Sequence, residues 1–461
     1  QRITTLTLLF RAFYEHFKNE GKNVKQGYLN GFGRCIWKFD SADEELYFDE
    51  MHLRSEVEFD DNKEEFAKLL SQDIENLGDL KSKYAKNYTF FYDKISSFKQ
   101  DTATQWEPFC KMLLGKKLFV LFITCDSQES AMTIFNTLNS RGMPLSNADI
   151  LKGYIYKHKK TDKDKKEFAQ SWKNLYSKVD DDKEIKSLDF LFLQFMHIIR
   201  AQHEDFDTTT QSVLNFFTKK DKKVYYGAFG NWLYKDETMP FILHLADFWL
   251  NPQDYLSRKS TNYLKILNLF QNDAWKSFVS CLVWKNHHKF NQDDFNIAKF
   301  SEDFDKYLPK LTTISSLLLL NNNATINTTK EIIFKMNVAL KTNDWSNIQI
   351  KQQMPNFETF LQNLENMDSR KIKFILFLYA NIYADFTENV NTAKLQIEHI
   401  LPKQWQNANF NGWNENLHNQ YLEQIGNKIL LPDKINIKCS DHFFAKKQDG
   451  YKKNHRLKRS L

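Results

Sequence analysis

Cysteine is scarce in this chain of 461 residues. Cys35, Cys110, Cys125, Cys281 and Cys439 are scattered, odd in number and form no CxxC pair. That pattern argues against a disulfide framework and a structural thiolate zinc site, and it fits a reducing cytoplasm. Glycine and proline are few, 13 and 8. Turns should therefore be rare and long periodic segments common, which favours helix. No apolar run reaches the roughly 18 residues that span a bilayer. "SSLLLL" at 315–320 is too short, so no membrane association is expected. No signal peptide is visible. The chain opens at Gln1 without a methionine, inside what reads as a motif, so an upstream portion is expected.

What is present is apolar and aromatic. Hydrophobic residues make up 42% and aromatics 15%, enough for more than one packed core. For a chain this long, roughly two to four domains are expected. The net charge of +6 is unevenly placed. Residues 434–461 carry seven lysines and two arginines against Asp441 and Asp449, so the rest of the chain is close to neutral. A basic patch of this kind attracts polyanions.

Periodicity predicts helices over 3–18, 62–77 and 80–99, and short strands and turns over 31–60. "KKLFVLFITCDS" (116–127) reads as a buried strand. A helix over 128–142 follows, ending on Gly142, and another starts at Ser146 or Asn147. The lysine-rich stretch 157–166 reads as an exposed boundary. From 167 to 385 the pattern is helical without a fixed repeat. His197, His244, His287 and His288 have no second ligand cluster beside them and read as packing or surface residues.

The densest chemistry lies near the C-terminus. "KLQIEHILPKQW" (394–405) places Glu398 and His399 side by side, just before Pro402. Gly426-Asn427 then precedes a short apolar strand, Asn436 follows nine positions later, and a helix carries Phe443, Phe444, Lys446 and Lys447. Hydrolysing a phosphodiester needs a base for water, a divalent cation for the leaving oxygen and cations near the phosphate. His399 suits the base. In an extended strand Glu398 points to the other side, free for a separate task. Glu398 and Asn436 are hard oxygen ligands suited to Mg²⁺ or Mn²⁺. Gly426 permits a tight turn, and the Asn427 amide can pin a loop and so orient His399.

His399, Asn427 and Asn436 in this order resemble the HNN form of the HNH, or ββα-metal, endonucleases. More narrowly, "IEHILP", "IGNKILL", "KIN" and "FFAKK" resemble the C-terminal nuclease domain of GmrSD-type modification-dependent restriction endonucleases. Two N-terminal pieces resemble the other domain of that family, of ParB/sulfiredoxin-like fold: "QRITTL" at the start and "IFNTLNSRGMPLSNADILKG" at 134–153. The resemblance implies a mainly α multidomain chain. An α/β ParB/sulfiredoxin-like domain over 1–160, lacking its start, is followed by a helical middle over 161–385 and a ββα-metal HNH domain over 386–461.

By the same resemblance His399, Asn427, Lys446 and Lys447 are the catalytic candidates, and Glu398 and Asn436 the metal candidates. Gln1, Arg2, Asn139, Gly142, Asp149 and Lys152 are the nucleotide candidates. Lys452, Lys453, Arg456 and Arg459 in the basic tail are the DNA candidates. The expected activity is metal-dependent cleavage of DNA in a bacterial anti-phage system, on modified DNA and with dependence on a nucleoside triphosphate. A homodimer is left open. Two rivals remain: a DNA-binding regulator with an inactive nuclease domain, and an RNA-cleaving toxin on the same scaffold.

Overall fold

A computed structural model describes residues 2–21, 25–42, 45–53, 60–74, 78, 80–101, 103–115, 134, 146–179, 187–219, 225–228, 230–270, 272–290, 295–321, 325–350, 355–365, 367–383, 395–405, 413–442 and 444–452. They are mainly helical, with two small sheets of two strands each. The chain divides into two compact units, residues 1–145 with 159–173, and residues 146–158 with 174–461.

The first unit contains α1 (Arg2–Lys18), α2 (Gln26–Gly33), β1 (Trp37–Asp40), β2 (Glu45–Met51), α3 (Asp60–Leu69), α4 (Lys83–Asp101) and α5 (Ala103–Leu114). Helix α1 spaces Phe10, Phe13 and Phe17 along one face and packs on α4 and α2. The Phe13 ring stacks on Phe32 at 4.8 Å and on Trp106 at 5.6 Å. Arg11 is fully buried within this core, its guanidinium bonded to Glu15 at 2.6 Å and to the Ser71 carbonyl at 3.0 Å. Strands β1 and β2 form an antiparallel hairpin. The expected strand over 116–127 and nearly all of the helix over 128–142 lie outside the described residues.

Next come α6 (Asn147–His158) and α7 (Asp162–Val179), which crosses the unit boundary. The series continues with α8 (Leu188–Gln202), α9 (Val213–Thr218), α10 (Tyr225–Ala228), α11 (Thr238–Leu250), α12 (Arg258–Leu267), α13 (Trp275–Asn286), α14 (Ile297–Leu320), α15 (Ile326–Thr342), α16 (Phe357–Glu365) and α17 (Ser369–Tyr383). Helix α8 is apolar around most of its circumference and is buried on nearly every side, against α13 and α15. His197 is inside that packing, 4.9 Å from the Phe334 ring, and His244 stacks on Phe290 at 4.8 Å.

The last elements are β3 (Leu395–His399), α18 (Glu415–Leu422), β4 (Lys428–Pro432), α19 (Asp433–Cys439) and α20 (Phe444–Lys452). Strands β3 and β4 pair antiparallel, with Leu395 opposite Pro432 and His399 opposite Lys428. Leu431, Cys439 and Tyr451 form a small core that ties both terminal helices to the sheet. Helix α17 packs against β3, β4 and α12, so it joins this module to the helical body of the second unit.

Candidate active site

Strand β3 ends in the Glu398–His399 pair, and alternation sends their side chains to opposite faces. On one face, Glu398 is buried. Its Oε1 accepts from Lys447 Nζ at 2.6 Å and from the Tyr451 hydroxyl at 3.2 Å. Lys447 and Tyr451 are four residues apart on α20 and so share one face of that helix. Lys447 is only 1% exposed, and its ammonium also donates to the His399 carbonyl at 2.6 Å. The sequence places Lys447 against phosphate; in the structure its charge is instead neutralised by Glu398 and held at the strand end. Lys446, the preceding residue, faces solvent.

On the other face, His399 is half-buried and its Nε2 has no hydrogen-bond partner. Glu423 Oε1 stands 3.7 Å from Nε2, beyond hydrogen-bond range. Burial lowers the imidazole pKa below its ordinary value. Lys403 and Lys428 push the same way, and Glu423 opposes them. Glu423 is itself held ionised by Lys428, whose ammonium lies 2.7 Å from its carboxylate.

Asn427 fixes the segment after His399. Its Oδ1 accepts from Leu401 N at 2.6 Å, while Nδ2 donates to Leu401 O at 3.2 Å and Leu422 O at 2.8 Å. His418 on α18 donates from Nε2 to the Pro402 carbonyl at 2.9 Å. The turn that follows the Glu-His pair is therefore clamped from two sides.

Glu398, His399, Asn436 and Lys447 all line one cleft of about 740 Å³. The Asn436 Oδ1 there is buried and accepts no hydrogen bond. Such an orphaned acceptor is costly in a fold and calls for a cation or donor from outside. Arg370 and Lys373 from the first turns of α17, and Lys403 from the clamped turn, add positive charge to the wall. Among the described residues these three have no carboxylate partner. Asp368 faces the same cleft, but its Oδ1 accepts from the backbone N–H groups of Arg370 and Lys371 as a helix cap. Glu423 and Tyr451 are not evident from the sequence because their partners are distant in the chain. Arg370 and Lys373 are not evident because they precede the motif on a separate helix.

Three of the six N-terminal candidates lie among the described residues. Arg2 opens α1, and Gln1, Asn139 and Gly142 lie outside the described residues. Asp149 and Lys152 are on α6, where Ser146 Oγ accepts from Asp149 N at 3.1 Å and donates to its carboxylate at 2.8 Å. Asp189 of α8 completes the cap, accepting from the backbone N–H groups of Asn147 and Ala148. Lys452 ends α20, and Lys453, Arg456 and Arg459 lie outside the described residues.

No helix among the described residues is long and apolar enough to cross a membrane. No curated protein matches the chain. Two family models do. The model for the N-terminal domain of GmrSD restriction endonuclease matches residues 1–156, and that for the C-terminal domain of GmrSD restriction endonucleases matches residues 351–461. The second match takes in α17 as well as the strands and helices of the cleft, and together the two cover more than half of the sequence. The chain belongs to the GmrSD restriction endonuclease family.

Proposed function

We propose that the C-terminal module is an HNH-type, metal-dependent nuclease that hydrolyses a phosphodiester of DNA. The observation that carries this reading is that His399 and Asn436, each with a buried polar atom lacking a hydrogen-bond partner, line one cleft with Glu398 and with Arg370, Lys373 and Lys403, which have no carboxylate partner among the described residues. The family supplies the class of reaction and of substrate, a restriction endonuclease acting on DNA.

In this reading the His399 ring takes the proton, its Nε2 being unpartnered because Glu423 stands beyond hydrogen-bond range. His399 is neutral at pH 7 because burial depresses its pKa, which keeps it competent as a base. It removes a proton from a water whose oxygen bonds to phosphorus as the bond to the leaving sugar oxygen breaks. Solvent returns a proton to that oxygen. Asn427 and His418 hold the turn, so His399 needs little rearrangement to reach its working position. Arg370, Lys373 and Lys403 hold the phosphates on either side.

Asn436 Oδ1 and Glu398 would hold a divalent cation. Two hard oxygen donors suit Mg²⁺ or Mn²⁺, which keep several waters and bind substrate oxygens. Among the described residues no group of three or more His, Cys, Asp or Glu gathers as a metal site, so the donors do not fit a closed zinc site. Bound there, such an ion would supply charge stabilisation at the leaving oxygen. Nucleotide dependence and preference for modified DNA are assigned, within the same proposal, to the N-terminal region. Titration of the full chain with Mn²⁺ tests the metal assignment. Asn436→Ala should weaken binding at least tenfold and remove cleavage with it. Equal Mn²⁺ affinity in the variant would dismiss Asn436 as a ligand.

A further inference from the structure

Next to the catalytic cleft, and sharing Pro402 with it, is a second cavity of about 490 Å³. Its wall begins at Ile400, one residue past His399. Three aromatic side chains meet there and remain exposed to solvent: Trp413 at 37%, Tyr421 at 40% and Phe444 at 39%. Trp413 and Tyr421 stand edge to face at 5.8 Å. Three large rings left in water within one cavity add little to the core and mark a binding surface.

The cavity is also firmly built. Asn427 and His418 clamp the 400–402 wall. At Gly426 an added Cβ would meet nothing within 4 Å, so open space faces that backbone. Gln424 lines the same cavity, and its side chain carries a donor and an acceptor together. Aromatic faces with one amide form the usual recognition set for an unstacked base: π-stacking on the face and hydrogen bonds at the edge. The cavity also reaches the substrate's path. Phe444 packs on Tyr451 at 6.4 Å, and the Tyr451 hydroxyl holds Glu398.

We propose that this cavity receives one nucleobase of the DNA substrate, drawn out of the stack beside the scissile phosphate. The proposal rests on the nuclease reading above, because the cleft it adjoins must hold the strand. An extruded base next to the cut would fix the register of cleavage and give the module a base contact that phosphate-binding cations cannot provide.

The test uses the full chain carrying His399→Ala, which leaves bound DNA uncut, and oligonucleotides with a single abasic site moved position by position. Trp413→Ala and Tyr421→Ala should each weaken binding of intact DNA by roughly 5- to 150-fold, the range of one base–aromatic stack. Gly426→Leu, which fills the cavity and leaves its rings in place, should do the same, and Trp413→Phe should recover much of the loss. At one or two abasic positions the penalty of Trp413→Ala should vanish, because the base it would stack on is already gone. Penalties that persist at every position, or Ala and Leu variants that bind as tightly as the parent, would overturn the proposal while leaving the nuclease reading intact. Failure of the unsubstituted chain to cleave any DNA would instead overturn that reading, and this inference with it.

Discussion

In the proposed nuclease reading Asn427 positions His399 through the backbone. Its amide makes three hydrogen bonds to the turn that leaves His399 and to the end of α18. Asn427→Ala orphans these backbone groups at about 1–3 kcal/mol for each one left unsatisfied. Cleavage should fall by more than the lost stability explains, read as rate against melting temperature; a destabilised variant with full activity would mean the turn does not position His399. Lys447 makes a different case. Its ammonium and Glu398 are both buried, so Lys447→Met strands a carboxylate and should cost about 3–5 kcal/mol in denaturant melts. Adding Glu398→Gln should recover part of that. That the Asn427 amide could pin a neighbouring loop was legible in the sequence, because Gly-Asn before a strand restricts what an amide can do. The partner of Lys447 was not, since spacing along α20 cannot say which strand its face will meet.

At the level of elements, the start of α6 at Ser146 and Asn147 was readable because a cap is a local device. The arrival of Asp189 from α8 to finish that cap was not, because it depends on packing. Helix α17 was readable as a helix, but its use was hidden. Arg370, Lys371 and Lys373 occupy its opening turns, where the helix dipole is already positive. Cations there stabilise the helix little, and Arg370 and Lys373 instead place charge at the cleft. Arg370→Gln with Lys373→Gln should weaken binding of all DNA alike and flatten the salt dependence by roughly one unit of slope for each phosphate interaction removed. An unchanged slope would remove α17 from the interface. Helix α8 carries its own prediction. Burial pushes His197 down to about 3, whereas in the unfolded chain it protonates near about 6.5. Above that value both states are neutral there and the group is silent. Between about 6.5 and about 3 the unfolded state binds the extra proton, so stability falls by roughly 1.4 kcal/mol per pH unit from this group. His197→Leu should make acid unfolding shallower by that share; an unchanged profile would place the acid sensitivity elsewhere.

Across the whole molecule, the sequence was most informative where chemistry is compact. Glu398, His399, Asn427 and Asn436 fall within forty residues, and the structure brings three of them to one cleft while the fourth clamps its edge. It was weaker where residues far apart converge, as with Arg370 and the aromatic cavity. It gave no access to the long helical body between the two matched regions, where burial rather than motif decides each residue. The central claim is that His399 is the base of a nuclease. The most direct measurement compares single-turnover cleavage of DNA with Mg²⁺ by the full chain and by His399→Ala, with binding measured in parallel. The account predicts unchanged affinity and a rate lower by about 10²–10⁴-fold in the variant. A variant that binds equally and cuts at the parental rate would contradict it.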